Sequence, residues 1–246
     1  MANPVLNDKA FKRVEQYAQA GTGEVMSVEG AINKTAFLLL LVVASATWVW
    51  TRFFQTQDAA QLMPYLWGGL LVGVAAMLAT IFAPTWGRIS APVYALAEGL
   101  VLGGISALYE IQLHGIVFQA IGLTIGVLAV MLVLYRTGII KVTDRFRMIV
   151  FAATGGIALF YAASIVLGLF HVSMPLLFGG TGAIVLSLLI VGVAAARLAV
   201  AFDTIARGAE RGAPQYMEWY AAFGVMVSLI WLYLEILRLL ANVRRR

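Results

Sequence analysis

Cysteine is absent from the chain, which removes disulfide frameworks, thiolate nucleophiles and Cys-ligated metal or iron–sulfur sites from consideration. Histidine is nearly absent as well, since only His114 and His171 occur, both at the ends of apolar runs. A membrane serine protease needs a nucleophile and a histidine facing each other inside the bilayer. These two positions do not offer that, and Ser106 in GGIS reads better as a packing residue. No lysine follows Lys141; a retinal protein requires one in a late helix for its Schiff base, so that class is excluded on chemistry. Nor is there an internal repeat of the kind from which energised transporters build two related halves. The chain is therefore expected not to be an enzyme and to carry no resident cofactor.

Charge is scarce, with 12% Asp, Glu, Lys and Arg against 62% hydrophobic residues, and the mean hydropathy is +0.91. Those values describe a polytopic membrane protein rather than a soluble domain. The net charge of +5 would suggest nucleic acid in a soluble protein. Here Lys and Arg cluster between hydrophobic runs, as topology signals do, and no nucleic-acid partner is expected. Windows of about twenty apolar residues, the length that crosses the hydrocarbon core, fall at 36–54, 62–84, 90–111, 115–135, 147–170, 175–205 and 216–241. Pro64 and Pro84 flank the second, Pro92 opens the third, Gly138 follows the fourth, Pro175 opens the sixth and Pro214 precedes the seventh. The reading is an all-α integral membrane protein: a seven-transmembrane-helix domain over 36–246 after an N-terminal arm, 1–35, whose start is too polar for a cleaved signal peptide.

Lys9, Lys12, Arg13 and Lys34 in the arm fall on one side of such a topology, together with Arg136, Lys141, Arg145 and Arg147 in the fourth connection and Arg207 and Arg211 in the sixth. The third and fifth connections carry neither Lys nor Arg. The positive-inside rule then places the N-terminus in the cytoplasm. Arg244, Arg245 and Arg246 run against it, because seven spans put them outside.

Small residues recur at Gly99, Gly103 and Gly104, at Gly122 and Gly126, and at Gly155 and Gly156, the composition that lets membrane helices approach closely. Ionisable residues inside apolar runs are few: Glu98 in the third span, Arg197 and Asp203 in the sixth, and Glu218, Glu235 and Arg238 in the seventh. Each costs about 2.5–3.5 kcal/mol at the bilayer centre, so each should face the protein interior, a water-filled cavity or an opposite charge. Glu235 and Arg238 are spaced i,i+3, as in a local ion pair with Arg238 snorkelling. Glu98 and Arg197 could neutralise one another across helices.

Asp203 and Glu218 close a hairpin that turns through Arg207 to Pro214, with its midpoint near residues 210 and 211. They should be neighbours. Two carboxylates held close in a low dielectric cannot both ionise easily and share a proton, which makes a pH-sensitive latch. The same oxygens suit a hard cation such as Ca²⁺. The plainer reading puts both acids at the water interface, with Arg207 and Arg211 as partners.

The segments VEGAINKTAFLLLL (28–41), APVYALAEGLVLGGIS (91–106), FQAIGLTIGVLAVMLVLYRTGIIKVT (118–143), AFDTIARGAERGAPQYMEWYAAFG (201–224) and LIWLYLEILRLL (229–240) resemble the Bax inhibitor-1, or transmembrane BAX inhibitor motif, family, and within it the bacterial YccA-like branch. The resemblance implies a seven-helix bundle in a bacterial inner membrane, with the C-terminal helix enclosed by the others. It also implies a proton-sensitive Ca²⁺ leak governed by an aspartate pair on the last two helices. Asp203 matches the first aspartate. Counting back from Arg238, the second falls on Ser228, which cannot ionise. Glu218, or Glu235 seven residues after Ser228 on the same helical face, is the candidate replacement, and the hairpin geometry favours Glu218. The alternative implied is a non-transporting regulator that binds partner proteins such as a membrane-bound AAA protease, with the N-terminal arm as its contact surface.

Overall fold

The computed structural model describes residues 25–170 and 180–245; Lys9, Lys12, Arg13, His171, Pro175 and Arg246 lie outside the described residues. Seven helices are long and apolar enough to cross a membrane: α1 (Val28–Thr56), α2 (Met63–Phe82), α3 (Gly87–Gln112), α4 (Ile116–Arg136), α5 (Asp144–Leu169), α6 (Gly180–Glu210) and α7 (Met217–Arg244). No β-strand occurs among the described residues. All seven predicted spans are present. Three start earlier than composition indicates, at 28, 87 and 144 rather than 36, 90 and 147. Ser27 caps α1 by accepting the Gly30 N–H at 2.9 Å, so residues 28–35 are helical. α3 starts five residues before Pro92, which sits inside the helix rather than opening it.

Loop chemistry ends the helices where the chain has to turn. Thr143 caps α5 through the Phe146 N–H at 3.2 Å. Gly138, at φ +71°, follows α4 in the left-handed conformation that glycine adopts without strain. The α3–α4 connection is closed by charges of both signs. Glu110 accepts the Gly115 and Val117 N–H groups at 2.6 and 3.3 Å, meeting donors that the start of a helix leaves without intrahelical partners. Arg244 donates to the Leu113 and His114 carbonyls at 3.4 and 2.7 Å and to Gln119 Oε1 at 2.8 Å, while Arg245 reaches Gln112 Oε1 at 2.7 Å. The arginine tail therefore serves the end of α3.

The chain divides into two compact units, one of Met1–Gly104 with Thr204–Gly224 and the other of Ile105–Asp203 with Val225–Arg246; α3, α6 and α7 contribute to both. Many large apolar side chains stay exposed, including Phe82, Phe118, Leu159 and Leu188, as surfaces facing hydrocarbon should. α3 and α7 are the most buried, at 56% of their hydrophobic windows, whereas α5 buries 6%. In the first unit α1 and α3 meet through glycine: a Cβ on Gly99 would strike Ser45 and Val42, and one on Gly103 would strike the Ala46 backbone. Gly122, Gly126, Gly155 and Gly156 have nothing within 4 Å of such a Cβ. Gly103→Val should therefore lower the thermal midpoint of the detergent-solubilised protein, or abolish its folding, by at least the roughly 1–3 kcal/mol of an overpacked core. Gly126→Val should leave it within about 0.5 kcal/mol; equal effects at the two positions would contradict the packing described.

Candidate ion site

In the second unit Asp203 lies near the end of α6, and Arg147 lies in the first turn of α5. Their side chains form an ion pair, each only about one-eighth exposed at 12% and 13%. The residues just before each partner in the chain, Phe146 and Phe202, pack against an apolar cluster of Met131, Val142, Val150, Ala199 and Val200. Such surroundings exclude water and strengthen the attraction between the two charges. Arg147 Nε is buried without a hydrogen-bond partner, so the guanidinium is held chiefly by the carboxylate.

Along the second-unit part of α7 the buried polar residues are Ser228, Glu235 and Asn242, spaced by seven and therefore on one face of the helix. Glu235 Oε2 accepts the Tyr161 hydroxyl of α5 at 2.8 Å and Arg238 Nη1 at 3.2 Å. Arg238 also donates to the Tyr161 hydroxyl and lies over its ring at 4.7 Å. The i,i+3 ion pair read from the spacing is therefore present, but it includes a third member. Arg238 is 34% exposed while Glu235 is 2% exposed, the geometry of a snorkelling arginine. Glu235 Oε1 is buried with no hydrogen-bond partner. The Ser187 hydroxyl of α6 neighbours Glu235 and is met by Asn242 Nδ2 at 3.4 Å. Ser106, expected to pack, hydrogen-bonds the Tyr233 hydroxyl at 2.6 Å, and the Arg197 guanidinium lies over the Trp231 ring at 5.9 Å.

Glu218 belongs to the first unit and has different company. Its Oε1 accepts the Ser27 N–H at 2.7 Å and the Ser27 hydroxyl at 3.0 Å, and its Oε2 pairs with Lys34. Lys34 also sits over the Trp219 ring at 5.5 Å. A Cβ on Gly30 would run into this carboxylate, so glycine is what lets α1 approach it. The same corner fastens the chain ahead of α1: Met26 N–H donates to the Ala213 carbonyl at 2.7 Å, and Val25 forms an antiparallel bridge with Pro214. Glu98, also in the first unit, lies over Gly73 of α2, whose added Cβ would be 3.5 Å from its Oε2, and faces Tyr94 one turn earlier on α3.

The i,i+3 spacing reveals Arg238 as a partner of Glu235, but no such signal reveals the partners of Asp203 and Glu218. Arg147 reads in the sequence as a topology charge, although its place at the very start of the fifth predicted span marks it as a cation at the membrane boundary. Ser27, Tyr161, Ser187 and Asn242 carried no signal, being ordinary polar residues until the helices bring them together. Among the described residues no three or more His, Asp or Glu side chains converge as a metal site.

A family model described as "Bax inhibitor 1 like" matches residues 3–245. No curated protein matches the chain. No solved structure matches it either. With the family model covering nearly every residue, the chain belongs to the Bax inhibitor 1 like family.

Proposed function

We propose that this protein is a passive, pH-gated cation leak of a bacterial inner membrane, with Ca²⁺ as the expected ion and the N-terminus in the cytoplasm. The observation that carries the reading is the ion pair of Arg147 with Asp203, which ties α5 to α6 against an apolar cluster. Arg147 acts as a tethered cation on the carboxylate that a permeant ion would otherwise meet. Neutralising Asp203 would remove the negative half of the pair and loosen the tie of α5 to α6. In this form the latch needs one carboxylate and one arginine, where the sequence suggested two carboxylates. Ser228, Glu235 and Asn242 then serve as further polar stations on α7, separated by about 10 Å per seven residues of helix.

A second reading is a membrane regulator that binds a partner such as a membrane-bound AAA protease and transports nothing. The bridge of Val25 to Pro214 and the bond of Met26 to Ala213 favour it, because they couple whatever precedes α1 to the α6–α7 connection. Removing residues 1–24 leaves this junction and the Ser27 cap intact. Under the regulator reading that deletion abolishes partner control and leaves any flux unchanged; under the leak reading flux and its pH response persist and carry the phenotype.

Ca²⁺ influx into liposomes holding the purified protein should exceed that into empty liposomes and should rise as pH falls. Asp203→Asn and Arg147→Gln should each raise flux about tenfold or more and flatten its pH dependence, since breaking a buried pair costs about 3–5 kcal/mol. Unchanged flux and pH response in Asp203→Asn would sink the latch, and no flux above empty liposomes would favour the regulator. Glu218→Gln, in contrast, should reduce folding stability by about 2 kcal/mol, less than a fully buried pair because Lys34 is partly exposed, while the pH response of flux survives. Loss of that response would make Glu218 the sensor.

A further inference from the structure

In the first unit α1, α2 and α3 enclose a groove of ≈ 570 Å³, within the about 300–1,000 Å³ typical of small-molecule sites. Its floor is made of small residues, among them Ser45, Gly68, Gly69 and Ala97. The two glycines differ. A Cβ on Gly69 would lie 2.7 Å from the Ala97 carbonyl oxygen, so that position brings α2 against α3. A Cβ on Gly68 would meet nothing within 4 Å, so the space above it is not filled by the protein's own packing. Ser45 gives the floor no unmet polar group, because its hydroxyl bonds back to the Leu41 and Val42 carbonyls at 3.0 and 3.2 Å. The groove opens outward, since Trp48, Val72 and Leu96 on its walls are all exposed.

One end is chemically distinct. Trp48 and Tyr65 meet edge to face there, with ring centroids 5.2 Å apart, two turns before the end of α1 and in the first turn of α2. That is the depth at which aromatic belts mark the hydrocarbon boundary. The Arg52 guanidinium lies over the Trp48 ring at 5.8 Å. Arg52 is exposed, and no carboxylate pairs with it among the described residues. A planar guanidinium held by an aromatic face and free of carboxylates is a phosphate-binding group. From Tyr65 to Val72 the groove runs seven helical residues, about 10 Å, into a leaflet about 15 Å deep.

We propose that this groove binds one anionic phospholipid, with an acyl chain laid over Gly68 and the phosphate set against Arg52. Aromatic rings at the mouth and small residues along the floor supply a slot for a chain, and the Arg52 guanidinium, with no carboxylate partner among the described residues, supplies the preference for a negative headgroup. The site shares no residue with the Arg147–Asp203 pair and stands whether or not the protein conducts ions.

Native mass spectrometry of the detergent-purified full chain, titrated with dioleoyl phosphatidylglycerol or dioleoyl phosphatidylcholine, tests it. Wild type should retain one phosphatidylglycerol about fivefold more than phosphatidylcholine, the ratio given by about 1 kcal/mol per arginine at a lipid headgroup. Arg52→Gln should keep its thermal midpoint and bind both lipids equally. Gly68→Leu should retain neither, and Val72→Trp, a filling change at an exposed wall position, should do the same if the glycine variant does not fold. No preference in wild type, a preference that survives Arg52→Gln, or lipid retention that survives both filling variants would overturn the proposal.

Discussion

A charge placed in hydrocarbon must be met within reach of its own side chain, because no water is there to meet it. The placing of acidic residues in this chain follows from that constraint, and it is solved in more than one way. Asp203 takes an arginine from another helix, Glu235 takes an arginine from its own helix with a tyrosine wedged between them, and Glu218 takes a lysine together with the first N–H and hydroxyl ahead of α1. The cations differ in burial: Arg238 is 34% exposed, Lys34 21% and Arg147 13%.

The small residues answer a different demand. Helices in lipid gain little from burying apolar surface and associate instead where backbones can come close. Gly99 and Gly103 do this for α1 and α3, and Gly69 for α2 and α3. Gly30 is a variation on the theme, since it makes room for a carboxylate rather than for a backbone. Gly68 brings nothing close and leaves a slot.

The seven spans were legible because a run of about twenty apolar residues has few alternatives to a transmembrane helix, and each apolar window does contain one. Helix starts were less legible. Ser27 and Gly87 lie outside the apolar windows, and their helical role depends on caps and turns rather than on hydropathy. At the site, spacing revealed what is local: Glu235 and Arg238 were readable as an i,i+3 pair. It could not reveal partners brought together by the fold, such as Asp203 with Arg147 across 56 positions or Glu218 with Lys34 across 184. Proximity to one turn says nothing of cations that other helices bring to each acid. Glycine spacing was equally mute, since Gly99 and Gly103 have the same i,i+4 interval as Gly122 and Gly126 and opposite surroundings.

The arginines at the end of α7 bear on how such a sequence is read for orientation. A topology rule treats every Lys and Arg as a mobile charge responding to the membrane potential and to lipid headgroups. Arg244 and Arg245 are instead committed to carbonyl and amide oxygens around the α3–α4 connection, where their charge opposes the negative end of the α3 dipole. Seen so, they are fasteners and not signposts.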